Sequence, residues 1–455
     1  MNKRTFLKQL TLAGLAAPLT SWATRFDQSP DALRSHEILR SPEILRSPEI
    51  LRSPEILQSA EALAQTEDFW TGIRSGYHLK PDYINLENGY YCIQPDAILE
   101  AFTRHVREVN LQGAYYMRTV QFENKKAQAA RLAALAGCDP ADLIITRNTT
   151  ESLDLIIGGY AWQRGDKAIM AQQDYGAMLR MFGQAEKRHG IALTILSVPN
   201  HPSSDEEIVS LYESAITPKT RLLMVSHMIN ITGQILPVRK ICDMAHAHGV
   251  EVMVDGAHSF AHIVHTIPDL DCDYYGASLH KWLSVPLGAG ILYVKPGHAD
   301  KTGRAEKIWP LLAEPDDNAT GLARLNHTGT HPVHTDLAIG DAIDYYNALG
   351  AQRKEARLRY LQQYWTSKVR DLPGVIVNTP ADPARACGIA NVGIKGMKPA
   401  DLADRLLRQY KIYTVAIDSP AANVQGCRIT PNLYTMTEEL DTLVSALEAL
   451  RPTAP

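Results

Sequence analysis

A lysine and an aspartate are the residues of this chain whose setting most favours chemistry. Lys281 lies in the motif SLHKW at 278–282, with apolar or glycine-rich sequence on both sides, and Asp255 lies in VDGAH at 254–258. An unpaired amine is unfavourable to bury, so this setting indicates a functional lysine rather than a surface one. A lysine amine can form a Schiff base, and a carboxylate can hold a proton on a pyridine nitrogen. The pair is the arrangement that a pyridoxal phosphate (PLP) enzyme requires.

Composition narrows the class of protein. The 455 residues leave room for two or three domains, and the hydrophobic fraction of 45% is typical of a soluble globular protein with a sizeable core. The formal net charge of −4 predicts no broad attraction to nucleic acid. The six cysteines are scattered without a CxxC pair, which favours buried small residues over a metal site or a disulfide framework.

Residues 1–23 have the layout of an export signal. A basic start is followed by an apolar stretch at 10–19 and by small residues near Ala23. The start resembles a twin-arginine signal, with Lys3 in place of the first arginine. The apolar stretch is too short to span a bilayer comfortably. We therefore expect a cleaved signal peptide, export to the periplasm and no membrane span after processing; an uncleaved amphipathic start on a cytoplasmic protein is the alternative.

Residues 34–63 contain a repeat of six residues, with three copies of RSPEIL that end at Leu57 and a decayed last copy that ends at Leu63. A proline every six residues removes helical hydrogen bonds, so one long helix is not expected. A solenoid is an alternative, but no glycine turns support it. We interpret residues 24–66 as a flexible linker between the signal and the enzyme.

Apolar runs alternate with stretches of helix length from about Thr66 onward. This pattern predicts an α/β fold with a mainly parallel sheet, whose strands include 143–145, 168–171, 193–196, 222–225, 250–254 and 290–294. Further strands near 374–377 and 389–394 and helices at 353–370, 399–409 and 437–450 predict a smaller α+β domain. We expect an N-terminal arm and large domain at 67–335 and a small domain at 336–455.

Polar side chains follow several of the predicted strands. Thr149 and Thr150 open an apolar helix after the first run, where free N–H groups and hydroxyls suit a phosphate. Tyr175 follows the second run and could stack on a ring, while Asn230 follows the fourth and could donate a hydrogen bond. An ordinary helix cap and ordinary turn residues are the alternatives. Ligands of open α/β sheets lie at the carboxyl ends of strands, which favours a shared site.

In their order and spacing, these motifs and the polar residues after the strands resemble the class V aminotransferase family. This family has the PLP-dependent transferase fold type I, and the resemblance covers about residues 80–450. VDGAH and SLHKW are the most specific parts. The resemblance implies that Lys281 forms the Schiff base and that Asp255 is the partner of the pyridinium nitrogen. His258 and Asn230 would flank the phenolic oxygen, and Tyr175 would take the stacking position.

The resemblance also implies a phosphate site and a two-fold assembly. Thr150, Ser278 and His280 would bind the phosphate with Thr149 nearby. Thr330 would add a contact from the partner subunit of a homodimer. The arm at 85–91 departs from the Asn/Gly-rich version that is usual in the family, so the resemblance does not carry substrate contacts over to it.

Arg428 would hold the carboxylate of an amino acid substrate, because a planar guanidinium can bind it through two hydrogen bonds. The desulfurases of the family carry a sulfur-accepting cysteine in a loop before this arginine, but residues 417–426 contain none and Cys427 lies next to Arg428. This departure and Tyr175 place the chain nearest the isopenicillin N epimerase-like branch. A transaminase, a C–S lyase without a persulfide cysteine and a non-catalytic exported PLP-binding protein are the alternatives.

Three histidines raise the question of a metal. His327, His331 and His334 have a spacing that would suit one helix face. Gly329 and Pro332 interrupt such a helix, so we expect no metal site there.

Overall fold

The computed structural model describes residues 49–297, 303–311 and 320–452. The predicted signal peptide at 1–23 and the first part of the predicted linker lie outside these residues. Within the described ranges, no helix has both the length and the apolar character that are needed to cross a membrane.

The strands follow one another along the chain as β1 (Ile84–Asn85), β2 (Leu143–Thr146), β3 (Lys167–Ala171), β4 (Ala192–Leu196), β5 (Thr220–Ser226), β6 (Glu251–Asp255), β7 (Tyr274–Ser278), β8 (Gly290–Val294), β9 (Val375–Val377), β10 (Ala390–Ile394), β11 (Ile412–Tyr413), β12 (Val415–Ser419) and β13 (Val424–Ile429). The α-helices are α1 (Ala60–Leu63), α2 (Glu67–Arg74), α3 (Asp96–Gln112), α4 (Gln121–Ala136), α5 (Thr149–Gly159), α6 (Gly176–His189), α7 (Asp205–Ser214), α8 (Val238–Ala247), α9 (Ile267–Leu270), α10 (Val333–Leu349), α11 (Ala351–Val369), α12 (Pro399–Tyr410) and α13 (Thr437–Leu450).

The large sheet has seven strands in the order β2-β8-β7-β6-β5-β3-β4. Strand β8 is antiparallel to both of its neighbours, and the remaining pairs are parallel. The predicted α/β fold with a mainly parallel sheet is confirmed. Because β8 alone runs the other way, β2, β7, β6, β5, β3 and β4 all end at the same edge of the sheet.

Helices cover both faces of this sheet. Side chains alternate between the faces along a strand, so Leu222 and Met224 of β5 enter one hydrophobic core while Leu223 and Val225 enter the other. All four residues are fully buried. Burial on both faces explains why these strands are continuous apolar runs in the sequence.

The small domain is built on a second, antiparallel sheet in the order β12-β13-β10-β9. Its core includes Trp365 of α11, Leu406 of α12 and Leu443 of α13. The predicted boundary at residue 336 is wrong, because α10 crosses it. Residues Ile339 and Ile343 of α10 belong to the core of the large domain, and the small domain therefore begins after Leu349.

The end of the repeat segment is not a flexible linker, and this part of the prediction is wrong. Residues 49–63 form two short 3₁₀ helices and α1, and Leu51 and Leu63 are buried in the core of the large domain. The indole nitrogen of Trp70 donates to the carbonyl of Leu63 at 2.7 Å, and Arg353 donates to the carbonyl of Ile56 at 2.9 Å. Leu51 and Leu63, each the last residue of a copy, supply the apolar anchors, which the proline spacing concealed.

Mutation of one buried and one exposed leucine tests whether residues 49–63 pack on the large domain. Leu63 is 0% exposed and Leu57 is 88% exposed. We expect Leu63→Ala to lower the free energy of unfolding by about 2–4 kcal/mol, because it leaves a cavity in the core. Leu57→Ala should change it by less than about 0.5 kcal/mol. Thermal and urea unfolding measure both; equal effects would contradict the docking of this segment.

Candidate active site

A cavity of about 380 Å³ opens at the edge where the parallel strands end. The ends of β5, β6 and β7 supply Ser226, Asp255 and Ser278, and the register pairs Ser226 with Asp255 directly across the β5–β6 ladder. The structure brings most of the residues predicted from sequence into this cavity: Thr149, Thr150, Tyr175, Asn230, Asp255, His258, Ser278, His280, Lys281 and Arg428.

Thr330 is the predicted site residue that does not line this cavity. It is exposed and lies between Gly329 and the start of α10. The sequence predicts that Thr330 contacts the phosphate site of a partner subunit. This role of Thr330 stays a prediction.

One end of the cavity is built to receive an anion. Helix α5 begins there with Asn148 as its cap, whose side chain accepts from the N–H of Glu151 at 2.9 Å. The hydroxyl of Ser278 lies 2.7 Å from that of Thr149 and accepts from the Thr149 N–H at 2.8 Å. The positive end of the helix dipole, beside the hydroxyls of Thr149 and Ser278, favours a phosphate at this position.

Glycine at position 290 permits this arrangement. A Cβ on Gly290 would lie 2.7 Å from the Cα of Asn148, so a larger residue in β8 would push the start of α5 away. His280 completes this end of the cavity. Its Nδ1 is buried with no hydrogen-bond partner among the described residues, and burial lowers the pKa of its imidazole to about 4. A neutral His280 with an unused polar atom suits an incoming ligand.

A short closed loop after β7 presents Lys281. Backbone hydrogen bonds join Leu279 to Val285 at 3.0 Å and Lys281 to Ser284 at 3.1 Å. Buried Lys354 of α11 also donates to the carbonyl of Trp282. These contacts hold the lysine amine in the cavity, where it lies 3.1 Å from Nε2 of His258.

His258 is a neutral base in this arrangement, and Lys281 becomes one once its amine loses a proton. The indole nitrogen of Trp282 can only donate, and it lies 3.4 Å from Nδ1 of His258. We therefore assign the imidazole proton to Nε2, which donates to Lys281 Nζ when that amine is unprotonated. Burial, with the charges of Lys281 and Arg428, holds the pKa of His258 well below its usual value.

Burial also lowers the pKa of Lys281 to about 8, while the charge of Asp255 opposes this shift. The carboxyl of Asp255 has a raised pKa because it is buried, and the charge of Lys281 moderates that rise. Asp255 accepts one hydrogen bond, from the N–H of Ala257 at 2.9 Å. The cavity therefore holds an amine that is readily deprotonated and, beside it, a buried acid.

Arg428, at the end of β13 in the small domain, closes the other side of the cavity. Its Nη1 donates to the carbonyl of Asn230 at 3.2 Å. Its Nε donates to Oε2 of Glu87 at 3.2 Å, and its Nη2 donates to Oε1 of the same residue. The predicted carboxylate-binding arginine thus lies in the cavity with a carboxylate of this chain already against one edge.

Sequence reasoning missed several residues of the site. Gly89 and Tyr90 of the N-terminal arm, Asn148 and Ser226 all line the cavity, and Glu87 accepts hydrogen bonds from the lining residue Arg428. Asn148 could have been found, because asparagine between a strand and a helix is a typical N-cap. No local pattern could have found Glu87, whose partner Arg428 is 341 residues away.

Two of the three histidines that were considered as metal ligands have other partners. His331 Nε2 lies 2.8 Å from Asp336 Oδ2, and the ring of His334 packs on that of Phe102 at 5.4 Å. In the part of the chain that the structure describes, no three His, Cys, Asp or Glu side chains are grouped as metal ligands would be.

The lowered pKa of Lys281 makes a prediction for the protein without cofactor. An amine reacts as the neutral base, so acetylation of Lys281 should rise with pH through a midpoint near 8 instead of the usual value above 10. Asp255→Asn should move the midpoint lower, because it removes the charge that supports the protonated amine. Peptide mass mapping at each pH gives the labelled fraction of every lysine, with exposed Lys80 as an internal control. A midpoint near 10 for Lys281 would contradict the assignment.

Comparison with known proteins agrees with this geometry. Residues 94–443 match the aminotransferase class-V family. The chain is 29% identical over 395 residues to isopenicillin N epimerase of Streptomyces clavuligerus, covering 84% of this chain and 98% of the epimerase. It is 25% identical over 389 residues to a cysteine desulfurase of Haloferax volcanii, covering 81% and 89%. The crystal structure of the cysteine desulfurase CsdA from Escherichia coli superposes with a TM-score of 0.71 at 22% identity, over 84% of this chain and 98% of CsdA, which confirms fold type I. The chain therefore belongs to the aminotransferase class-V family and is a PLP-dependent enzyme.

Proposed function

We propose that this enzyme acts at the α-carbon of an amino acid, with an epimerase of the isopenicillin N type as the leading candidate. The observation that carries the proposal is the position of Lys281. Its amine lies 3.1 Å from His258, beside the buried acid Asp255, in the same cavity as Arg428. A neutral base and a carboxylate-binding cation in one cavity are what removal of an α-proton requires.

The residues of the cavity fit PLP. The phosphate would be held by the first turn of α5, by Ser278 and by the unpartnered Nδ1 of His280. Asp255 would face the pyridine nitrogen and Tyr175 would pack on the ring. When bound, PLP supplies an electron sink for the charge that develops at the α-carbon.

The chain's own residues supply binding and proton transfer. Arg428 would hold the substrate carboxylate and so fix the α-carbon relative to Lys281. Lys281 Nζ would take the α-proton, for which its pKa of about 8 is well matched to neutral or mildly alkaline pH. Asp255 would keep a proton on the ring nitrogen through its negative charge.

Three features favour the epimerase over a desulfurase. By the family resemblance, Tyr175 takes the position that is histidine in the desulfurases. The chain is 29% identical to the epimerase of Streptomyces clavuligerus and 25% identical to the desulfurase of Haloferax volcanii. Cys427 is fully buried between β10 and β12, and burial raises the pKa of its thiol to about 11. A buried neutral thiol is a poor sulfur acceptor. A C–S lyase that eliminates sulfide directly is the second candidate, since relatives that are desulfurases share the fold and family.

Two further proposals rest on sequence. Residues 1–23 would direct export, and the enzyme would work as a homodimer in which Thr330 reaches the partner's phosphate site.

Deuterium exchange tests the reaction. In deuterated water, a panel of L- and D-amino acids should include at least one substrate whose α-hydrogen exchanges, and chiral analysis should show the opposite enantiomer. Lys281→Ala should abolish exchange. Asp255→Ala should slow it by at least ~100-fold, the scale expected for loss of one electrostatic contact in the transition state.

Asp273 offers a matched control for Asp255. It is also a fully buried aspartate, but it pairs with His246 at 2.9 Å and with Arg304 at 2.8 Å, away from the cavity lining. Asp273→Asn should lower stability and leave exchange near the wild-type rate. Sulfide release from L-cysteine that survives Cys427→Ser, with no exchange from any other amino acid, would favour the C–S lyase.

Mixed dimers test the role of Thr330. Thr330→Val should weaken PLP binding by ~1–3 kcal/mol, the range for one hydrogen bond to a charged group. When these subunits are mixed with Lys281→Ala subunits, one site per heterodimer has its own lysine and receives an intact threonine from its partner. Tight PLP binding should return at that site. No recovery in heterodimers shown to form by native mass spectrometry would exclude a contact across the interface.

A further inference from the structure

The guanidinium of Arg428 already has a carboxylate of its own chain against it. Glu87 accepts from Nε at 3.2 Å and from Nη2, so it occupies one whole edge of the guanidinium. The side chains of Arg428 and Glu87 are only 8% and 6% exposed. Because both charges are buried, water screens their attraction weakly.

The arm that carries Glu87 is tied to the small domain by its backbone. Glu87 forms a parallel bridge with Thr430, and the N–H and side-chain amide of Asn88 donate to Thr430 at 2.6 and 2.7 Å. The N–H of Tyr90 donates to Oε1 of Glu87 at 3.0 Å. The carboxylate is therefore held in place, and it is not a surface side chain that swings freely.

Glycine at position 89 allows the arm to lie directly on the guanidinium. A Cβ on Gly89 would come within 2.9 Å of Cζ of Arg428. Gly89 and Arg428 both line the cavity, so the arm and the arginine form one wall of it. The position of the arginine thus depends on the arm, on Glu87 and on the carbonyl of Asn230.

The hydrogen bonds leave part of Arg428 for a ligand. A guanidinium has five N–H groups. Within the described residues, Glu87 takes one on Nε and one on Nη2, and the carbonyl of Asn230 takes one on Nη1. One N–H remains on each terminal nitrogen, which is enough for a substrate carboxylate to bind end-on while Glu87 stays in place.

Charge decides how tightly that substrate binds. A carboxylate at hydrogen-bond distance from Arg428 would lie only a few ångströms farther from Glu87. Coulomb energy falls as the inverse of distance, so repulsion from Glu87 offsets about half of the attraction to Arg428. Removal of the negative charge would leave a buried, unpaired guanidinium, which a substrate carboxylate would then neutralise.

We propose that Glu87 is a built-in carboxylate that offsets the charge of Arg428 and so determines how tightly the enzyme binds an α-amino carboxylate. This inference rests on the proposed function of Arg428. It makes Glu87 an affinity-determining residue that acts through Arg428 and does not touch the reacting atoms.

The test uses a charge-neutral variant of the holoenzyme and two ligands that differ by one carboxylate. L-Norvaline and n-butylamine are titrated into wild type and Glu87→Gln, and the absorbance of the bound cofactor gives the Kd. Glutamine has nearly the same shape and still accepts one hydrogen bond. The Kd of L-norvaline should fall at least about 10-fold in the variant, whereas that of n-butylamine should change less than about 2-fold.

The outcomes separate this inference from the proposed function. An unchanged or higher Kd for L-norvaline in Glu87→Gln overturns the inference alone, if α-proton exchange in the wild type still occurs. Wild-type holoenzyme that responds to neither ligand, and exchanges no amino acid, overturns both.

Glu67 provides the matched control for loss of a buried ion pair. It binds the fully buried Arg357, with Oε1 at 2.5 Å from Nη1 and Oε2 at 3.2 Å from Nη2, and neither residue lines the cavity. Glu67→Gln should lower the Tm and leave both Kd values unchanged. For Glu87→Gln, saturating L-norvaline should raise the Tm by more than it does in the wild type, because it restores a counter-ion.

Glu87→Asp keeps the negative charge but places it on a side chain that is shorter by one methylene. It should lower the Kd of L-norvaline by about 3-fold, less than glutamine does, because the charge is farther from the guanidinium. If Glu87→Gln does not fold, Glu87→Asp provides the test of the proposal. A Kd that does not fall would also overturn the proposal.

Discussion

The parallel strands of the large sheet share one carboxyl edge, and the rest of the site depends on this constraint. Strands β5, β6 and β7 end together there and deliver Ser226, Asp255 and Ser278 to one cavity. Helix α5 begins at the same edge, so the positive end of its dipole faces the space that the strands leave. A sheet with another order of strands would scatter these groups even if each local motif were unchanged.

Burial at this edge acts on the acid and the bases in opposite directions. It raises the pKa of the Asp255 carboxyl and lowers the pKa values of Lys281 and His258, because each shift favours the neutral form. Mutual attraction between Asp255 and Lys281 limits both shifts. The result is an amine that loses its proton near pH 8 beside an acid that can still carry charge.

The small domain contributes the charge that recognises a carboxylate. Arg428 reaches the cavity from the end of β13, and the N-terminal arm supplies Glu87 to the same guanidinium. Substrate binding therefore involves the large sheet, the small sheet and the arm together. The ion pair between Arg428 and Glu87 joins the small domain to the arm. The position of the arm relative to the small domain therefore depends on the charges of these two side chains.

The sequence by itself determined six of the seven strands of the large sheet and most of the cavity, but it did not predict β7. Lys281, Asp255 and Thr149 could be found because apolar runs, glycine-rich flanks and helix-start hydroxyls are local patterns. The tertiary structure alone decided that α10 packs with the large domain, that Leu63 is buried and that Glu87 binds Arg428. These contacts join segments that are distant along the chain, and each depends on how whole elements pack, so no local pattern specifies them.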